Sequence, residues 1–337
     1  MLAFEFCNQG DGKSVQILCI VGDSRSGSTL LQALLSQRAG VVGLGELRRL
    51  EPFWTENRNC NCGARMRDCD FWSGVMADPA FSDRHPRTQP HARRFAKLLG
   101  EAAAFAGYVT NMRSTSRLLL PLGRRVAADV TRVYRAIVEH TGADTLVDAS
   151  KDPGHFLYLD QLSGLDVRPI LLIRDGRAVV WSKIRRTGID PLTAIDHWAR
   201  ITRMQLALSH WRRQSRPAIV HYEILCNTPA QTLNDLLPGR RFMVTDDGGG
   251  GTAGDRHHIG GTPEFRLTAG ENPRPDLRWV DEMPDDVLSA FERRVGRLNS
   301  RLGYSTGRET GFVVPADHAG GDIGPATAWP VASVGGR

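Results

Sequence analysis

The chain has 337 residues, 41% hydrophobic and 24% charged, an ordinary globular balance with length enough for one large α/β domain or two small ones. Its net charge of +6 and pI near 9.2 suit anionic ligands, yet no lysine run, RRM-like pattern or zinc-finger pattern marks a nucleic-acid binder. No apolar run approaches the ~20 residues of a membrane span, and the start lacks the basic-then-apolar pattern of a signal peptide, so a cytoplasmic protein is expected.

The first element is VQILCIVG, Val15 to Gly22, an unbroken apolar run typical of a strand covered on both faces. A Gly/Ser turn follows, and then a helix whose Leu30, Leu31, Leu34 and Leu35 share one face. An insertion from about Leu47 to Ala143 reads as mostly helical in HARRFAKLLGEAAAFAG and LGRRVAADVTRVYRAIVEHTG. DTLVDAS (144–150) and RPILLIRD (168–175) read as buried strands leading into helices at 155–162 and 176–186, and AIVHYEIL (218–225) as a fourth strand. Asn227 or Thr228 caps the next helix, with Pro229 in its first turn. This alternation implies an α/β fold, a central parallel sheet flanked by helices, with a largely helical insertion. One domain over 1–304 is expected, with a Gly-rich loop at 245–263, an amphipathic helix before Tyr304, and a disordered tail over 305–337.

The turn after the first strand carries the chemistry. Gly22 and Gly27 stand five apart and Ser28-Thr29 follow, as in the phosphate-binding pattern G-x-x-x-x-G-K-[ST]. Ser28 replaces the lysine, and the basic residue has moved into the loop as Arg25. Backbone N–H groups at a helix start hold an anion through those donors and the helix dipole. Such junctions also occur without a ligand.

Four ordered pieces resemble the sulfotransferases that use 3′-phosphoadenosine 5′-phosphosulfate, most closely the tyrosylprotein-type and bacterial members. They are RSGSTLL (25–31), SKDPGHFLYL (150–159), LLIRDGRAVVWSKIRR (171–186) and VHYEIL (220–225), and the likeness covers roughly 15–50 and 146–237. The resemblance implies a P-loop fold whose loop, Arg25, Ser26, Gly27, Ser28 and Thr29, holds the 5′-phosphosulfate. Arg174 and Ser182, eight residues apart, would hold the 3′-phosphate at the carboxyl edge of the sheet. Glu46, 21 residues after Arg25, matches the family's catalytic glutamate, and Arg48 matches an arginine two residues on. Lys151 matches a lysine that stabilises the transferring group. Arg266 is a weaker match for the 3′-phosphate, because Thr262 stands where bacterial relatives carry asparagine.

The implied activity is sulfuryl transfer from that donor, a co-substrate, to a hydroxyl, with no metal required. Glu46 would take the acceptor's proton, its pKa raised by partial burial, while Arg25 and Lys151 stabilise the departing phosphate. Without a membrane anchor, the expected acceptor is a small-molecule, sugar, lipid or natural-product hydroxyl rather than a peptide tyrosine. Homodimerisation is left open. Two other readings stand beside this one: a P-loop kinase, for which Asp148 and Asp175 occupy strand ends but no loop lysine is present, and a non-catalytic anion- or metal-binding module.

Cys60, Cys62 and Cys69 are spaced C-x-C-x6-C, irregular for zinc, with only Asp70 or His85 in sight as a fourth ligand. A reversible disulfide is an alternative, and the expectation is no metal. Phe71 and Trp72 read as core or as an acceptor-side wall, and His257 and His258 as a surface pair. Cys19 and Cys226 read as core.

Overall fold

A computed structural model of the chain describes residues 14–82, 85–88, 120–209, 217–240, 257–261 and 273–315. Five parallel strands form one sheet in the order β2-β3-β1-β4-β5. They are β1 (Val15–Gly22), β2 (Val41–Gly45), β3 (Thr145–Lys151), β4 (Leu165–Ile173) and β5 (Ala218–His221). The described helices are α1 (Ser28–Ser36), α2 (Leu50–Thr55), α3 (Asp70–Met76), α4 (Leu120–Thr141), α5 (Pro153–Leu159), α6 (Gly176–Thr187), α7 (Pro191–Leu208), α8 (Tyr222–Asn227), α9 (Pro229–Leu236), α10 (Trp279–Glu282) and α11 (Asp285–Arg301).

The alternation of strand side chains divides the core. Ile17, Cys19 and Val21 of β1 face one cluster with α3, α4 and α5, whereas Leu18 and Ile20 face the other with α1 and α9. A third cluster joins α6, α7, α10 and α11 around Trp198, Trp279 and Phe291.

Three differences from the sequence reading matter for the site. β2, VVGLG, is an additional strand at the sheet edge. The strand expected at 218–225 ends at His221, and the chain turns into α8. The expected tail is also ordered at its start: Phe312 is buried, Tyr304 bridges Phe312, and Arg177 donates to the carbonyls of Gly307 (2.6 Å) and Glu309 (3.1 Å). Residues 316–337, the helix expected at 91–107 and the glycines of 245–256 lie outside the described residues.

Candidate active site

Strand β1 delivers the loop Asp23 to Gly27 to the carboxyl edge of the sheet. Gly27 has φ +94, and a Cβ there would lie 2.4 Å from the Tyr222 ring, so both conformation and packing demand glycine. No side chain among the described residues caps α1, the kind of helix start whose first-turn N–H groups can hold an anion. Beneath the loop, buried Asp23 accepts from Lys183 (2.5 Å) and pairs with His197 (3.3 Å). Burial raises the Asp23 pKa, but the bonds from His197 and Lys183 outweigh it and hold the carboxyl below its ordinary value.

The two expected anion sites meet here. Arg25 Nε donates to Ser182 Oγ (3.0 Å), and Arg174 donates to the Arg25 carbonyl (2.7 Å) and the Asp276 carbonyl (3.0 Å). The Arg174 guanidinium lies 4.3 Å from the Tyr222 ring centroid. Its Nε is buried with no hydrogen-bond partner among the described residues, and so is Trp279 Nε1. Trp181, Ser182, Arg185, Asp276, Arg278 and Trp279 line a small pocket beside them. Asp276, which the sequence reading does not single out, is held down to about 2, first by its bond from Arg278, against burial, with Arg174 adding to it.

Glu46 follows β2 on the other side of the loop. Its carboxylate accepts from Lys151 Nζ (2.7 Å) and Arg49 Nη1 (3.3 Å). The pairing register of β3 slips on both sides, between Cys19 and Val21 of β1 and between Gly43 and Gly45 of β2, and such irregularities re-aim side chains. Lys151 emerges from this bulge with φ +67, and Arg25 has φ +72. Only Asn57 shares that conformation among the described non-glycine residues, so the two expected catalytic cations both occupy strained backbone, as residues at functional sites often do.

The expected Glu46 pKa is corrected in sign. Burial raises it, but Lys151 first, then Arg49 and Arg48, lower it further, and the net value falls below the ordinary glutamate range. The carboxylate is therefore ionised and well paired, a weak base while Lys151 holds it.

Residues 257–261 close over this corner. Ile259 bridges Gly45: its N–H donates to Leu44 O (2.9 Å), and its carbonyl accepts from Glu46 N–H (2.7 Å). A Cβ on Gly260 would lie 3.3 Å from Glu46 Cδ, and one on Gly261 would lie 3.3 Å from Thr29 Oγ1. The segment thus spans the acid and the phosphate-type loop. Arg266 lies outside the described residues.

Arg48 pairs with Asp152 (3.2 Å) and, with Leu47, Thr88, Tyr134 and His155, borders a small pocket. Asp148 is fully buried, accepting from Tyr134 OH (2.5 Å) and Ser150 N–H (2.8 Å) and contacting His155 Nε2 (2.9 Å). Asp152 caps α5 through the N–H groups of Gly154 and His155. Trp72 is fully buried, and its indole N–H donates to the His257 carbonyl (2.6 Å), which makes it core. His257 faces the cysteines and His258 is buried, so these are not a surface pair. His85 instead accepts from Trp54 Nε1 (3.0 Å).

A model of the sulfotransferase family matches residues 18–239. Among solved structures, a sulfotransferase domain from the Synechococcus PCC 7002 olefin synthase is 21% identical over 67% of this chain and 74% of its own, with a TM-score of 0.38. A sulfotransferase domain from the curacin biosynthetic pathway is 19% identical over 90% of this chain and 100% of its own, with a TM-score of 0.48. No curated protein matches.

Proposed function

The chain belongs to the sulfotransferase family, and from that premise we propose that it moves a sulfuryl group from 3′-phosphoadenosine 5′-phosphosulfate to the hydroxyl of a small-molecule, sugar, lipid or natural-product acceptor. One observation carries the reading: the Glu46–Lys151 pair stands at the same sheet edge as a phosphate-type loop backed by Arg25, Arg174 and Ser182. A protein that only bound an anion would have no use for an ionised acid there. Nor does a kinase reading gain support, since Asp148 is buried in its Tyr134–His155 network and Asp175 is paired with Arg177 (2.7 Å).

The residues fit the donor's two anionic ends. The uncapped start of α1 suits the 5′-phosphosulfate, and the unpartnered Arg174 Nε with Ser182 suits the 3′-phosphate. Bound there, the donor supplies an electrophilic sulfur with the nucleotide phosphate as leaving group. Glu46 accepts the proton of the acceptor hydroxyl as the new O–S bond forms. Arg25 and Lys151 neutralise charge on the phosphate oxygen as the old S–O bond breaks. As Lys151 turns to that oxygen, Glu46 loses its strongest counter-charge and becomes a better base. The small pocket beside Arg48 and His155 is the proposed acceptor side.

Glu46→Ala tests the assignment, with donor turnover and binding of adenosine 3′,5′-bisphosphate measured together. Turnover falls at least a hundredfold while nucleotide affinity is retained. Unchanged turnover, or lost nucleotide binding, contradicts the role.

A further inference from the structure

Cys60, Cys62 and Cys69 lie on or beside a turn-rich loop that runs into α3, while His257 comes from a segment 188 residues beyond Cys69. The fold brings one donor atom from each to within 4.8 Å of all the others. Sγ of Cys62 and Sγ of Cys69 are 3.8 Å apart, far from a disulfide bond of about 2.0 Å. Nδ1 of His257 is 3.1 Å from Cys69 Sγ and 4.0 Å from Cys60 Sγ. A tetrahedron built on Zn–S of about 2.3 Å and Zn–N of about 2.0 Å has S···S edges of about 3.8 Å and S···N edges of about 3.5 Å. The observed separations scatter around those edges.

We propose that these four side chains form a structural zinc site of Cys3His type that fastens the insertion to the segment closing over Glu46. The donor set is closed, four protein ligands with no position left for substrate, which is the structural rather than the catalytic pattern. The histidine is already oriented. Its ring stacks on Phe71 (5.3 Å, 6°), and its carbonyl accepts from Trp72 of the same helix. The cysteine loop is shaped too: Cys60 N–H donates to Ala64 O (2.8 Å), Gly63 N–H donates to Cys60 O (3.0 Å), and Gly63 turns with φ +96. Binding releases one proton from each of the three thiols to solvent, giving three thiolates around Zn2+ with a neutral imidazole. Two residues past His257, Ile259 holds the Glu46 amide, so the metal's mechanical load falls on the corner that carries the acid.

The site does not depend on the proposed reaction, and its test reads metal, not turnover. The full chain, produced in zinc-supplemented medium and dialysed, is assayed for metal by mass spectrometry, and the metal-free reduced chain is titrated with Co2+. About one zinc per chain is expected, with thiolate-to-cobalt charge-transfer and tetrahedral ligand-field bands. His257→Ala and Cys62→Ser, the latter chosen because Cys62 is exposed, lower the zinc affinity at least tenfold while the chain stays folded by circular dichroism. Removing zinc from the wild-type chain speeds amide exchange at Ile259. A folded chain without stoichiometric zinc and without thiolate–cobalt bands overturns the proposal. Recovery of a Cys62–Cys69 disulfide as the native form does so as well.

Discussion

Replacing Gly45 with alanine asks whether residues 257–261 dock as described. Gly45 has φ +71, where a side chain costs about 1–2 kcal/mol. The new Cβ would lie 2.2 Å from the Ile259 carbonyl oxygen and 2.8 Å from its nitrogen. Those are backbone atoms held by two hydrogen bonds, so the segment relieves the clash only by leaving. In the metal-free chain, leaving forfeits these two bonds and the one from Trp72 to the His257 carbonyl, at about 1 kcal/mol each, and exposes the Ile259 side chain at about 2 kcal/mol. Five residues regain backbone freedom at about 1 kcal/mol each, which nearly cancels that loss. Gly45→Ala therefore lowers unfolding free energy by only about 1–2 kcal/mol, the strain at position 45 itself. Local exchange changes far more, the amides of Glu46 and Ile259 each losing at least tenfold in protection. Urea denaturation and amide exchange measured on the same variant check both halves. A stability loss above about 4 kcal/mol, or unchanged protection at both amides, would refute the reasoning.

Three other perturbations test the electrostatics. Burial pushes Glu223 up to about 7, so between roughly pH 4.5 and 7 the folded state holds a proton that the unfolded chain has lost, and stability falls as pH rises through that window. Glu223→Gln removes that slope in denaturation curves at pH 5 and pH 8, and an unchanged slope contradicts the assignment. Asp23 has the opposite sign, its depressed pKa contributing stability above pH ~4 that is lost as acid protonates it. Asp23→Asn leaves Lys183 buried without its carboxylate and costs about 3 kcal/mol at pH 7, whereas a loss below about 1 kcal/mol would contradict a tight pair. Finally, Lys151→Met raises the Glu46 pKa, measured by infrared or carboxyl NMR titration, and a value that does not move would show that Lys151 does not hold the acid down.

Much of this arrangement was legible in the sequence because strand, turn and helix signals are local. The loop at 25–29, Arg174 at the end of β4 and Pro229 at the start of α9 all stand where the pattern placed them. Strand β2 escaped because Gly43 and Gly45 dilute its apolar run, and each glycine answers to a distant contact. A Cβ on Gly43 would lie 2.6 Å from Ser36 Oγ, and one on Gly45 would meet Ile259. The run at 218–225 read as one strand because a short apolar stretch has the same composition in a strand as in a buried helix. What ends the strand is tertiary: Tyr222 packs on Gly27 and Arg174 while Glu223 accepts from Tyr304 OH (2.7 Å). Both the Glu46 pKa and the place of His257 needed coordinates. One depends on Lys151 reaching back from a bulge, the other on two segments 188 residues apart in the chain.

The most direct test of the central claim is a thermal-shift comparison of adenosine 3′,5′-bisphosphate with ATP and magnesium. At 100 times its dissociation constant, a ligand of the native state adds about 2.7 kcal/mol, a shift of several degrees. Stabilisation by the bisphosphate alone, lost in Arg174→Ala, is the expected result. Stabilisation by ATP with magnesium in its place, or by neither nucleotide, would contradict it.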